Sequence, residues 1–314
     1  MNFSPSPAPD LPLAARLFEQ LLADSFDGTG VTRDAYGPGE QRAHDLIAQT
    51  GLGLELTVSY DGARNLYLTC PGKDRSAPVV MTGSHLDSVP GGGNYDGAAG
   101  VVAGLSIIAG WRAAGFVPPS DVTVMGVRAE ESTWFPYSYL GSKAAFGKVP
   151  REVLQLQRAD TGRSLADHLV DCGGNPEHFG PAHLDATRIS RFVELHIEQG
   201  PVLVDAQIPV GVVSGIRGSL RYRDAKVYGA YAHSGAVPRA NRRDAVRAAA
   251  LLVAAIDEDW KRLEDEGEDL VVTFGKFFTN PAQHAFSKVA GEVGLCLELS
   301  FLSVLSQDYS RIRR

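Results

Sequence analysis

The sequence predicts an α/β chain in two domains, on three observations. Residues 77–81, 121–127 and 191–195 are short apolar runs of buried-strand length, separated by stretches with helical spacing. Each run delivers a polar cluster at or just past its end: His85, Asp87 and Asp96, then Glu130 and Glu131, then His196. Beyond Ser214 the pattern changes to alternating strands and one long helix over residues 244–264. A chain of 314 residues, 44% hydrophobic and 21% charged, has length for two cores, placed at 1–214 and 215–314. In open α/β sheets the carboxyl ends of the strands are where ligands bind, so the three clusters belong to one candidate site.

Each element follows from local signals. Residues 11–26 and 38–50 carry apolar positions at helical spacing. Residues 54–59 and 65–69 alternate around Asp61-Gly62, a hairpin signal. The strand at 79 feeds an Ala/Gly-rich helix over 98–111, and the strand over 121–127 ends in Arg128-Ala129-Glu130-Glu131. Short helices are expected at 140–146 and 164–171, the second stopped by Gly173-Gly174. The strand over 191–195 leads into His196-Ile197-Glu198-Gln199-Gly200, and a further strand is expected at 211–213 before a hinge at Ser214-Gly215.

A net charge of -7, with no Lys/Arg run before the last few residues, argues against nucleic acid or an anionic membrane as partner. Cys70, Cys172 and Cys296 are too scattered for a disulfide framework or a thiolate zinc site and read as buried thiols in a reducing compartment. The first ten residues lack a basic segment and an apolar core, and no apolar run reaches membrane-span length, so a cytoplasmic protein is expected.

One imidazole and two carboxylates at the first strand end suit zinc or another divalent first-row ion, with Asp87 placed to hold the His85 ring from behind. The bland alternative for that segment alone is a polar turn, Asp87 capping the helix and His85 filling a surface notch. Recurrence of these residue types at two more strand ends favours a site. Adjacent carboxylates at Glu130 and Glu131 point in different directions, so one can bind metal while the other handles a proton. Two ions about 3.5–4 Å apart sharing a carboxylate could be served by this set.

Four long motifs carry a family resemblance: Gly83-Ser-His-Leu-Asp-Ser-Val-Pro with Gly-Gly and Tyr95-Asp-Gly; Glu130-Glu-Ser-x-Trp-Phe with Leu140-Gly-Ser; His196-Ile-Glu-Gln-Gly-Pro-Val-Leu; and Ala232-His-Ser-Gly with Pro238, Arg242 and Asp244-Ala. Together the sequence resembles the allantoate amidohydrolase and N-carbamoyl-L-amino-acid hydrolase family, dinuclear-metal amidohydrolases related to zinc aminopeptidases. The resemblance implies a zinc-aminopeptidase-like catalytic domain with a mixed sheet and flanking helices, plus a smaller α+β lid domain through which two copies form a homodimer. It implies two divalent ions per subunit, zinc or manganese, with His85 and His196 on one, Asp96 bridging, and Glu131 on the other. Glu130 would be the general base, Gln199 would contact substrate, and His233 would reach the partner's site to stabilise an oxyanion. Asp87 and Glu198 would support these groups, and the family commonly shows a cis peptide after the bridging aspartate, here Asp96-Gly97. The implied reaction is hydrolysis of a linear amide or ureido C–N bond in a small molecule.

The match departs at two places. Family members hold the substrate carboxylate with an asparagine and an arginine, and the aligned positions are Ser287 and Ser300, which offer no bidentate fork. From residue 300 onward the sequence no longer resembles the family, and the return segment that would complete the catalytic domain and the second ion's shell has no counterpart. An incomplete first domain is therefore expected to show an exposed apolar patch and an unpaired strand edge near the site. Two other readings compete: a folded, dimerising remnant without turnover, and a metallo-dipeptidase.

Overall fold

A computed structural model describes residues 6–301, in two compact units divided at Gln207/Ile208. In the first unit, α1 (Leu11–Ser25) starts where the Asp10 carboxylate accepts the Leu13 N–H. Helix α2 (Pro38–Gly53) opens on a proline, whose missing N–H would be unpaired there anyway. It runs past the expected end at residue 50, and Glu55 then turns in the left-handed region at φ 57, so strand β1 (Thr57–Tyr60) starts later than the alternation suggests. The turn to β2 (Leu66–Cys70) is built around Asp61, whose carboxylate accepts from Ala63 N–H, Asn65 N–H, the Asn65 side chain and the Tyr67 hydroxyl.

Strands β3 (Val79–His85), β4 (Val122–Val127) and β5 (Ile189–Val193) complete a mixed sheet in the order β1-β2-β4-β3-β5. β2 is antiparallel to both β1 and β4, while β3 is parallel to β4 and β5. Its register decides where the chemistry falls. His85 lies opposite Val127, so the turn after β4 begins level with His85. Thr82 lies opposite Val193, and each is followed at the same interval by a histidine, His85 and His196.

Helix α3 (Ala98–Ala113) packs on β3, and α1, α2 and α3 bury one sheet face in a core around Leu21, Ile47, Leu66, Leu68, Val102 and Leu105. Helices α4 (Leu140–Ala145), α5 (Leu165–Asp171) and α6 (Val202–Asp205) are short, and α5 begins with a reciprocal Ser164/Asp167 capping box. The sheet's outer edge is β5, and among the described residues no strand pairs with its far side. Phe192, Val193 and Leu195 are 46%, 58% and 51% exposed along it.

His44 on α2 is fully buried against the sheet, and neither ring nitrogen has a hydrogen-bond partner. Burial, reinforced by the Arg128 and Arg64 charges, holds its pKa well below the ordinary value, so the ring is neutral in the fold. An unfolded chain protonates this histidine below about pH 6.5 and the folded one does not, so its contribution to stability falls as pH drops below that point. The slope is about 1.4 kcal/mol per pH unit for one proton. His44→Leu is expected to flatten the acid limb of the stability profile by that amount between pH 6 and 5 in urea melts, and an unchanged limb would show that His44 titrates normally.

In the second unit, β6 (Gly218–Tyr228), β8 (Leu270–Thr279) and β10 (Glu292–Phe301) form an antiparallel sheet with β10 central. Helix α7 (Ala245–Asp265), capped by Asp244, packs on it through Ala245 and Ala249 against Val293. Strands β7 (Ala232–His233) and β9 (Lys288–Val289) pair separately. The strand expected at 211–213 does not form: that segment has no ladder partner among the described residues, and Val212 is 95% exposed.

Candidate metal centre

Asp96 is the hub of the carboxyl edge. Its Oδ1 lies 3.7 Å from His85 Nε2 and 3.5 Å from His196 Nε2, and the three residues are the one group among those described whose ligand atoms all fall within 4.8 Å. These separations exceed a hydrogen bond, and Oδ1 is buried without a partner. Two ligands on one tetrahedral ion with bonds of about 2.0–2.1 Å stand roughly 3.3–3.5 Å apart, close to what is seen. The donor set and the orphaned oxygen therefore fit a divalent cation.

Both imidazoles are aimed by main-chain oxygens. His85 Nδ1 lies 3.0 Å from the Asp87 carbonyl and His196 Nδ1 2.9 Å from the Ile197 carbonyl. A carbonyl only accepts, so each Nδ1 carries a proton and each Nε2 is the atom facing Asp96. Burial opposes charge on His85, but Asp87 and Asp96 prevail and push its pKa up to about 11, while His85 first among its neighbours lowers that of Asp96. The pocket selects for positive charge, and an ion would enter by displacing that proton.

The Asp96-Gly97 peptide is trans, against the cis bond the resemblance implied, since the described residues contain no cis peptide. Gly97 sits instead at φ 64, ψ -52, and Ala98 N–H reaches back to the Asp96 carbonyl at 2.7 Å, a three-residue γ-turn that reverses the chain. A Cβ on Gly97 would stand 2.5 Å from His85 Cδ2, so only glycine fits both the dihedral and the ring. Gly97→Ala is expected to weaken cation binding about 10- to 100-fold by turning His85 off line. Co²⁺ titration measures this, and binding equal to wild type would show that the loop absorbs the methyl.

Asp87 lies behind the His85 ring, its Oδ1 3.5 Å from Nδ1, and it also holds the turn after β4. Its carboxylate, fully buried, accepts Glu130 N–H on Oδ1 at 3.0 Å and Glu131 N–H on Oδ2 at 3.1 Å, while its main-chain oxygen serves His85. The two glutamates are half-buried just past β4 and are not members of the three-residue group. Burial, with Glu130 beside it, pushes the Glu131 carboxyl up to about 7, and burial also raises Glu130. Gln199, in the left-handed region at φ 59, donates to Asp96 Oδ2 at 2.7 Å. Glu198 accepts the Leu203 N–H and so anchors α6.

Sequence reasoning missed Arg33. This buried guanidinium donates to the Leu86 carbonyl at 2.8 Å, to Asn94 Oδ1 at 3.2 Å, and to the Asn94 and Asp96 carbonyls at 3.3 and 3.4 Å, closing the ligand loop from behind. No spacing signal links it to a loop more than fifty positions away. In the second unit, His233 is exposed and its Nδ1 accepts the Gly235 N–H at 3.1 Å, so in the neutral ring Nε2 is a donor. Ser287 is an exposed loop residue before β9, and Ser300 is half-buried within β10 opposite Ser219 and Val271.

The family model for peptidase family M20/M25/M40 matches residues 81–295, most of the chain and all of the strand-end clusters. The chain belongs to this family. It is 38% identical over 251 residues to N-carbamoyl-L-amino acid amidohydrolase from Geobacillus stearothermophilus, covering 79% of this chain and 61% of that protein. It is 35% identical over 254 residues to allantoate amidohydrolase from Escherichia coli K12, covering 80% of this chain and 60% of the relative. The chain thus spans about three-fifths of the length of these curated relatives. A crystal structure of a hydantoinase/carbamoylase family amidase from Burkholderia ambifaria superposes with a TM-score of 0.78 at 30% identity, over 96% of this chain and 71% of the other. The M20 fold of that structure, a mixed sheet flanked by helices, is the fold of this chain. No helix among the described residues is long and apolar enough to cross a membrane.

Proposed function

We infer that this M20 chain is a metal-dependent hydrolase of a linear ureido or amide C–N bond, in substrates of the N-carbamoyl-L-amino acid or allantoate class. The observation that carries this reading is the buried Asp96 Oδ1, without a hydrogen bond and facing two imidazole Nε2 atoms at 3.7 and 3.5 Å. His85, Asp96 and His196 would hold one divalent ion, and Asp96 with Glu131 a second, zinc or manganese being suited to imidazole and carboxylate alike. Such ions supply Lewis acidity toward the ureido carbonyl and acidify a water.

The chain's own residues do the rest. Glu130, on a backbone pinned by Asp87, takes a proton from the attacking water and delivers it to the nitrogen that leaves as the C–N bond breaks. Gln199 positions Asp96 through its side-chain amide and would also contact the substrate. In a homodimer formed through the second unit, His233 would offer its Nε2–H to the carbonyl oxygen as negative charge develops. Ser287 and Ser300 would give the substrate's anionic end neutral hydroxyls in place of a guanidinium.

The test joins metal analysis to ammonia release from N-carbamoyl amino acids and from allantoate. Bound zinc or manganese, lost in Asp96→Ala, with ammonia release from at least one of these substrates, is the expected result. Ion binding unchanged by Asp96→Ala would overturn the site, and ion binding with no turnover on any ureido compound would overturn the reaction.

A further inference from the structure

The turn that carries the two glutamates leaves no backbone group from Arg128 N–H to Glu131 N–H without a partner. On the amide side, Arg128 N–H donates to Asn65 Oδ1 at 2.9 Å and Ala129 N–H to Glu40 Oε1 at 2.9 Å, before Asp87 takes the next two. On the carbonyl side, Arg128, Ala129 and Glu130 accept from Gly141, Leu140 and Tyr139 N–H at the start of α4. Ala129 sits at φ 48, a backbone conformation that an alanine holds only when its surroundings fix it.

Glu40 is the distant member of this set. It lies in the first turn of α2, has no solvent exposure, and its Oε2 accepts both Tyr36 N–H at 2.7 Å and Arg128 Nη1 at 2.9 Å. Burial pushes the Glu40 carboxyl up to about 7, opposed by Arg128 and the two backbone donors, while on Arg128 the field of that carboxylate outweighs burial and raises its pKa. Arg128 is in turn fixed by the Arg64 carbonyl and by Gln41 Oε1. A buried charge pair at the foot of α2 is thus wired directly to the amide that precedes Glu130.

We propose that Glu40 is a positioning residue: by holding the Ala129 amide it fixes the left-handed turn that aims Glu130 and Glu131 into the site. It acts on the glutamate half of the site and leaves the His85, Asp96 and His196 half to Arg33 and Gly97. The consequence for a second ion on Glu131 rests on the function proposed above, whereas the consequence for the turn does not.

Glu40→Ala alone buries an unpaired Arg128, so the variant to use is Glu40→Met/Arg128→Met, which removes both charges and keeps apolar volume. Amide hydrogen exchange of the metal-free protein is the first readout. Exchange at residues 129–131 is expected to rise at least tenfold while residues 79–85 of β3 stay within threefold of wild type. No change at 129–131 would overturn the proposal, since Asp87 and α4 would then suffice. Equal acceleration in both segments would overturn it too, because Glu40 would then serve the fold as a whole. Co²⁺ titration is the second readout: the first equivalent should bind as in wild type and the second about 10- to 100-fold more weakly. Wild type taking up a single Co²⁺ while the exchange difference stands would sink the two-ion reading and support the positioning role.

Discussion

Glu130→Gln is expected to lower ureido hydrolysis about 100- to 10,000-fold while the protein still binds its first ion with unchanged affinity. The substitution is nearly isosteric and leaves the Glu130 N–H on Asp87 Oδ1, so the turn keeps its shape. What it removes is a carboxylate able to carry a proton from water to the leaving nitrogen. Burial raises the Glu130 carboxyl, opposed by His85 and reinforced by Asp87 and Asp96, and that brings its proton affinity closer to that of its partners in transfer. The change also relieves Glu131, which burial and then Glu130 hold at about 7, so a second ion should bind as well or better. Steady-state kinetics with Co²⁺ stoichiometry measured on the same sample decide the matter. Loss of ion in step with activity would make Glu130 a ligand, and activity within tenfold of wild type would remove it from the chemistry.

The two candidate imidazole ligands were legible because each signal is local: a short apolar run, then a histidine where the strand ends or just beyond, with Asp96 on the loop that follows β3. Parallel registers turn that local regularity into a meeting point, with His85 opposite Val127 and Thr82 opposite Val193. What the sequence hides is everything that holds those residues still. Glu40, Arg33 and Arg128 look like ordinary surface charges of helices and loops, yet none has solvent exposure, and their partners lie about fifty to ninety positions away. Asp87 was visible as a neighbour of His85, but its carboxylate serves another strand's turn, which only the pairing of β3 with β4 reveals. The strand expected at 211–213 shows the opposite failure: β-branched residues favour a strand only where a neighbouring strand exists, and among the described residues none pairs with it.

Arg33→Met is expected to cost the first unit about 3–5 kcal/mol of stability, because it takes a buried cation away from a loop rich in oxygen. Burial lowers the Arg33 pKa to about 10, with Asp87 and Asp96 resisting, so the guanidinium is charged and its charge faces two carboxylates of the site. Methionine restores the volume of the stem but none of the donors now held by the carbonyls of Leu86, Asn94 and Asp96. Each acceptor left without a partner in a buried setting costs about 1–3 kcal/mol, and part of that is recovered where water can enter. For a unit of this size the loss corresponds to a fall of roughly 6–20 °C in Tm. Arg33→Lys should recover little of it, since one ammonium cannot span an oxygen cluster that a planar five-donor fork bridges. Thermal melts of the metal-free protein test both variants, and a lysine variant as stable as wild type would show that charge alone, without the fork, holds the ligand loop.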